Sequence, residues 1–303
     1  MEYRDLTFGV EIECTGKTRQ EAAQILSQLF GTAYCYSGGT YDTYKISDTQ
    51  GRTWSVMSDS SLLAQQKRRG VVVAADGRYR VEVVTPVLKY EDIPLLQEVI
   101  RALRQGGLFT NESMGQHIHV GISGFSPKQL INLVNTLYTK QDMLYESLGV
   151  YPSRQHYCQK LPERLVETLK AKKPNTVEQF ADIWYNELGG NYSRNSHYNS
   201  SRYHCLNLHN YLSGRQPTAE LRCPNAVTHA GEVRASVEFF MLTVAYAANA
   251  TRTSAKVTIP HGSIKYTFRC FLLKIGAIGE QFKTLRLHML KRLSGNTAWR
   301  EIA

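Results

Sequence analysis

The sequence predicts an α+β protein. Some stretches alternate apolar and polar residues at period two, others space apolar residues by three and four, and the two kinds do not alternate strictly enough for a doubly wound parallel sheet. With 303 residues, 42% hydrophobic and 20% charged, the chain has the composition of an ordinary globule with a substantial core. No linker or repeat divides it, so one domain over 1–303 is expected, with a helical part from about 230 onward.

The elements follow in order. Residues 6–14 contain FGVEIEC, a strand with Phe8, Val10, Ile12 and Cys14 on one face and Glu11 and Glu13 on the other. Thr18 is the N-cap of a helix over 18–30, and YCYSGGTYDTY at 34–44 reads as a loop. Strands are expected at 53–57 and 71–75, the second inside AQQKRRGVVVAADG at 64–77, an extra hairpin whose basic tip carries Lys67, Arg68 and Arg69. The strand at 78–85 sets Glu82 against the face of Val81 and Val83, and the helix at 91–105 ends at Gly106-Gly107.

The strand at 116–122 puts His117 and His119 opposite Ile118 and Val120, with Gly115 and Gly121 permitting close backbone approach. Helices are expected at 127–147, 160–171 and 177–187, then a loop, ELGGNYSRNSHYNSS at 187–201, long enough to act as a lid. Strands at 203–209 and 218–223 place Asn207 opposite Leu206 and Leu208, and Glu220 and Arg222 opposite Leu221, with Arg202 at the start of the first. Helices at 230–250 and 280–293 complete the chain.

Two glutamates one residue apart on a strand face stand ~7 Å apart and repel by roughly 2 kcal/mol at an effective dielectric near 20. Water at a sheet edge offsets that for one isolated pair. Five strands repeat the arrangement, however, and a sheet whose concave side holds Glu11, Glu13, Glu82, His117, His119, Glu220 and Arg222 demands cations. An oxygen-rich set favours Mg²⁺ or Mn²⁺, ions that usually work beside substrate phosphates. ECTGKT at 13–18 ends like a phosphate loop, but Glu11 stands where its first glycine is required, so that motif fails.

The net charge of +10 favours anionic partners: a nucleotide, an acidic peptide or polymer, or nucleic acid. Six dispersed cysteines without a C-x-x-C pair, after an opening MEYRDLTF without an apolar leader, lead us to expect free thiols in a cytoplasmic setting. The most apolar run, VEFFMLTVAYAANA at 237–250, contains Glu238 and is too short to span a bilayer, so no membrane helix is expected.

An ordered set of motifs also resembles a known family. FGVEIE, W-x-V-x-x-D-x-S from Trp54, VEVVTPVL, G-x-H-x-H-V-G from Gly115, R-x-x-Y-C from Arg154, S-R-Y-x-x-L-N-L-H from Ser201 and E-L-R from Glu220 resemble the putative amidoligase family of the carboxylate–amine ligase superfamily. The resemblance runs from about residue 5 to 250 and implies a mainly antiparallel curved sheet with flanking helices, as in glutamine synthetase. It also implies ATP-dependent amide formation from a carboxylate substrate, an amino acid or peptide, and an amine through an acyl phosphate.

On that resemblance Glu11, Glu220 and His117 would hold the ion at the terminal phosphates, and Glu13 and Glu82 a second one. His119 would lie beside ATP, and Arg222 would stabilise the phosphoryl group in flight. Arg202 and Arg154 would grip phosphate or carboxylate, and Asp59 and Asn207 would orient the second substrate. Gln116 departs from the family pattern, which has an aliphatic residue there, and CPNAVTH replaces its glycine-containing turn after E-L-R. Two other readings are a metal-dependent hydrolase using the H-x-H pair, for which the set has too few soft ligands, and a nucleic-acid-binding protein, for which no reading module is visible.

Overall fold

Strand β1 (Phe8–Cys14) lies between two later strands, and its position organises everything around it. The structure, a computed structural model, describes residues 1–260 and 262–299. After β1 come α1 (Arg19–Phe30), β2 (Tyr34–Gly38), β3 (Thr43–Ser47), β4 (Thr53–Met57), β5 (Gln65–Arg68), β6 (Val71–Ala74), β7 (Val81–Val84), α2 (Ile93–Gln105) and β8 (Gln116–Gly121). Then follow α3 (Pro127–Tyr138), α4 (Gln141–Leu148), α5 (Glu163–Lys172), α6 (Val177–Leu188), β9 (Leu206–Asn207), α7 (His209–Leu212), β10 (Thr218–Leu221), α8 (Ala230–Asn249), α9 (Ile264–Lys274) and α10 (Lys283–Leu290).

Eight strands form one sheet in the order β2-β3-β4-β7-β1-β8-β10-β9, every neighbouring pair antiparallel. Its apolar face presents Phe8, Val10, Ile12, Val81, Val83, Ile118, Val120, Ala219 and Leu221, all buried. Helix α1 packs against β3 and β4, α8 packs against β8, and α2 and α3 pack on α8. This pattern follows from period two: burying one set of alternate side chains turns the other set, acidic and imidazole, to the opposite face.

Helix α1 begins as expected at Thr18, whose side chain accepts the Glu21 N–H while Glu21 reaches back, a reciprocal capping box. The 64–77 segment is the expected hairpin: β5 and β6 form a separate two-stranded sheet, and Arg69 and Gly70 turn with φ of 51° and 82°.

Several elements differ from expectation. The 34–44 stretch is not a loop but the hairpin β2–β3, because its tyrosines pair across the strands, with Tyr36 and Tyr44 ring centroids 4.9 Å apart, while Gly38 and Gly39 take the left-handed turn positions. The helix expected over 127–147 breaks at Lys140 (φ −123°), where the hydroxyls of Thr136 and Thr139 donate back to the carbonyls of Asn132 and Asn135. The strand expected at 203–209 shrinks to Leu206–Asn207 between a 3-10 turn and α7. Helix α9 was not anticipated, and the last helix opens with a 3-10 turn at Glu280–Phe282 before α10. All six cysteines are free thiols. Among the described residues no helix is long and apolar enough to cross a membrane.

Candidate active site

Sheet register assembles the polar face. Glu13 on β1 lies opposite Glu82 on β7, and Glu11 lies opposite His117 on β8. His119 lies opposite Glu220 on β10, which in turn faces Asn207 on β9. Residues more than 200 positions apart in the chain therefore share one basin because five adjacent strands carry them at matching heights.

The contacts are short. His117 Nδ1 is 3.0 Å from Glu11 Oε2 and 3.7 Å from Glu220 Oε1, and its Nε2 is 3.7 Å from Glu13 Oε1. His119 Nε2 is 3.1 Å from Glu11 Oε1 but out of hydrogen-bond alignment, so both ring nitrogens of His119 are buried without a hydrogen-bond partner among the described residues. Arg222 Nη1 forms an ion pair with Glu220 Oε1, and Arg222 Nε donates to the Tyr157 carbonyl at 3.4 Å. The backbone N–H of Gly115 donates to Glu13 Oε2 at 2.5 Å.

Three sets of ligand atoms each lie within 4.8 Å of one another: Glu11, His119 and Glu220; Glu11, Glu82 and His117; Glu13, Asp59 and Glu82. The sets overlap through Glu11 and Glu82. The basin thus offers adjoining groups of hard oxygen donors, a donor set whose chemistry fits Mg²⁺ or Mn²⁺.

Charge is compensated differently at the two ends. Burial opposes ionisation of Glu11, yet the positive charge of His119 and the hydrogen bond from His117 outweigh it and hold the carboxyl well below the usual range. Burial likewise opposes ionisation of Glu220, and Arg222 with the two histidines overcomes it. His119 resists charging through burial, but Glu11 and Glu220 raise it above the ordinary imidazole value. At the other end burial raises Glu13, only partly offset by His117 and the Gly115 N–H. Glu82 is pushed well above the carboxylate range by burial and then by the charges of Glu11, Glu13 and Asp59.

The remaining expected residues fall into different roles. Asp59 joins Glu13 and Glu82 as a ligand-type carboxylate, and its Oδ1 accepts from Ser61 N and Oγ, both at 2.7 Å. Asn207, expected to orient a substrate, has its carboxamide committed: Nδ2 donates to Glu220 Oε2 at 2.6 Å and Oδ1 accepts from His209 N at 2.8 Å. It orients Glu220 instead.

Arg154, expected to grip phosphate or carboxylate, is only 2% exposed and points its fork at backbone. Nη1 donates to the carbonyls of Cys223 and Pro224 and to Asn225 Oδ1, at 3.2, 2.9 and 3.1 Å, and Nη2 donates to the Arg222 carbonyl at 2.9 Å. A Cβ at Gly115 would collide with this guanidinium, so the glycine serves the arginine's close approach. Arg154 and Asn225 together hold the unusual CPNAVTH turn, with Asn225 Nδ2 also donating to the Gly149 carbonyl at 2.7 Å.

Arg202 is half-buried, its Nη1 donating to the His197 carbonyl at 2.5 Å. The 187–201 segment also comes up to the β2–β3 hairpin, where Tyr198 lies beside Tyr41 and raises its phenol, which also feels the charges of Arg202 and Asp59. Tyr41, Tyr198 and Asn225 escaped the sequence reading because nothing in their local pattern distinguishes them from loop residues.

A family model described as "Putative amidoligase enzyme" matches residues 4–244 of this chain. No curated protein matches it.

Proposed function

Because the chain belongs to this amidoligase family, we propose that the basin joins a carboxylate to an amine at the expense of ATP, through an acyl phosphate, on a single catalytic domain with a glutamine-synthetase-like fold. The observation that carries this reading is the chain of overlapping ligand sets on one sheet face with the Arg222–Glu220 pair at its edge. Divalent ions bound there would supply charge neutralisation for phosphates. Glu11, Glu220 and His117 would hold one and Glu13, Glu82 and Asp59 another.

The chain's own groups do the rest. Phosphoryl transfer is largely positioning and charge stabilisation: the γ-phosphoryl group of ATP moves to the substrate carboxylate and ADP departs. Arg222 is already anchored at one nitrogen by Glu220 and at Nε by the Tyr157 carbonyl, so it presents a pre-oriented cation to that group. His119 and Arg202 supply further positive charge toward the nucleotide. Asn207 fixes Glu220 from behind and Arg154 fixes the turn that carries Arg222, so both act by positioning. The amine then attacks the acyl carbonyl and phosphate leaves. Closure of the 187–201 segment against Tyr41 would keep water from the acyl phosphate.

An acidic peptide or polymer suits the basic surface as carboxylate donor. Free thiols and a need for ATP fit a cytoplasmic setting. The test is magnesium-dependent ADP release across panels of carboxylates and amines, with product amide detected by mass. Glu220→Gln and Arg222→Ala are each expected to lower turnover by about 10²–10³-fold. Undiminished turnover in either variant refutes the assignment.

A further inference from the structure

We propose that this protein carries a second binding site, separate from the acidic basin: a groove between α3, α5 and the 251–256 segment that takes a short acidic peptide in extended form. This inference does not depend on the reading of the basin.

The groove has a volume of about 1130 Å³ and is lined by five cations, Lys128, Lys170, Lys173, Arg252 and Lys256, against two carboxylates, Glu163 and Glu167. None of these seven forms an ion pair among the described residues, whereas nearby charges do, Lys160 with Asp142 at 2.5 Å and Arg164 with Glu187 at 3.3 Å. The volume lies above the usual range for a small-molecule site, roughly 300–1,000 Å³, and suits a chain.

Asn135 gives the groove a built floor. Its side chain lines the cavity at 7% exposure and has no hydrogen-bond partner among the described residues. Asn132, one turn earlier, is by contrast fully used: Nδ2 donates to the carbonyls of Ala247 and Ala250 at 3.1 and 2.7 Å, and Oδ1 accepts from Thr253 at 3.1 Å. Those bonds fasten the 251–256 segment along α3. They leave Asn135 with a free amide, able to donate to and accept from a peptide group.

The ends of the groove differ in sign. Tyr138, in the last turn of α3, lines the groove together with Glu163 and Glu167 of α5, and their charges add to burial in raising its phenol, so the acidic pair lies at the Tyr138 end. Lys170 and Lys173, toward the other end of α5, and Lys128, at the start of α3, line the same groove away from that acidic pair, with Arg252 next to the Thr253–Asn132 bond. Lys128 to Tyr138 covers about 15 Å at ~1.5 Å per helical residue. That is the length of four or five extended residues at ~3.3 Å each.

A peptide laid there puts its carboxylates at the cationic end, its amino terminus near Glu163 and Glu167, and a peptide bond over Asn135. A nucleic acid strand fits less well, because the acidic end repels phosphate and only Tyr138 among the lining residues offers a stacking ring.

The test is isothermal titration calorimetry of the full chain, without ATP or Mg²⁺, with an unlabelled tetrapeptide of glutamate at low salt. Binding is expected, weakened about tenfold or more by the Lys128→Glu, Arg252→Glu double variant and about fivefold by Asn135→Leu. Acetylating the peptide's amino terminus should weaken binding about threefold, while circular dichroism of the exposed charge variants stays unchanged. No heat at ~1 mM peptide, affinity untouched by the double charge reversal, or an oligothymidylate binding as tightly as the peptide would each overturn the proposal.

Discussion

Replacing Glu82 by glutamine separates the electrostatic cost of the basin from its structure. Glu82 pairs in register with Glu13 and lies within 4.8 Å of ligand atoms of Glu11, Asp59 and Glu13. Two ionised carboxylates at 4.8 Å repel by about 3.5 kcal/mol at an effective dielectric near 20. Burial, and then these neighbours, raise Glu82 well above the ordinary carboxylate range, so protonation relieves part of that repulsion. A carboxyl raised in the folded chain costs nothing below its unfolded value of about 4.3, then costs progressively more stability as pH climbs toward the folded value. Glu82→Gln should therefore stabilise the metal-free protein by roughly 1–3 kcal/mol at pH ~8 and leave it nearly unchanged at pH ~4.5.

Urea denaturation in chelator at both pH values measures this. Adding Mg²⁺ should reverse the order at the higher pH, because an ion that binds only the folded chain stabilises it in proportion to affinity, and the variant has lost a ligand. A variant no more stable than the parent at high pH in chelator, or one that gains as much from Mg²⁺, would refute the reasoning.

Two further outcomes follow from the same geometry. Arg154→Ala strands the carbonyls of Arg222, Cys223 and Pro224 and should cost about 3–5 kcal/mol in chemical denaturation. Arg154→Lys should not rescue it, since an ammonium cannot reach acceptors arranged for a fork; parental stability in the lysine variant would contradict the clamp role. Gln116 is 0% exposed and both its amide atoms lack partners among the described residues, so Gln116→Leu should stabilise by roughly 1–2 kcal/mol in thermal melts, and a lowered melting temperature would show that the amide is satisfied.

The convergence of Glu11, Glu13, Glu82, His117, His119 and Glu220 was legible because strand periodicity is rigid. Once Val10, Ile12, Val83, Ile118 and Leu221 must be buried, the intervening side chains have only one other face to occupy. The hairpin at 64–77 was legible for a similar reason, since Arg69-Gly70 can take the positive φ of a tight turn between β-prone flanks. The β2–β3 hairpin was not. Its glycines read as loop, and the aromatic pairing of Tyr36 with Tyr44 that outweighs them depends on a neighbour strand that local sequence does not reveal.

Side-chain roles were less legible than side-chain faces. Residue type states what a group can bond to, but not which partners stand within reach. Arg154 has the fork that suits a carboxylate, yet the acceptors that claim it come from positions 222–225, brought close by β10. Asn207 looks available for substrate until the register sets it across from Glu220. Asp59 sits beyond the end of β4, outside any alternation, so nothing local says that its carboxylate turns toward Glu13 and Glu82.

That misplaced aspartate changes how the basin works. At Glu11 and Glu220 negative charge is already balanced by the chain's own groups, the guanidinium of Arg222 and the raised imidazole of His119. At Glu13, Asp59 and Glu82 no cationic side chain among the described residues forms an ion pair with the carboxylates apart from His117 at 3.7 Å, and burial holds Glu13 and Glu82 toward their protonated forms. An ion entering the first position competes with the positive charge of His119, whereas one entering the second must displace protons from Glu13 and Glu82 themselves. Both positions should therefore fill more readily as pH rises, the first through the imidazole of His119 and the second through the carboxyls of Glu13 and Glu82, so that their pH dependences report on separate groups.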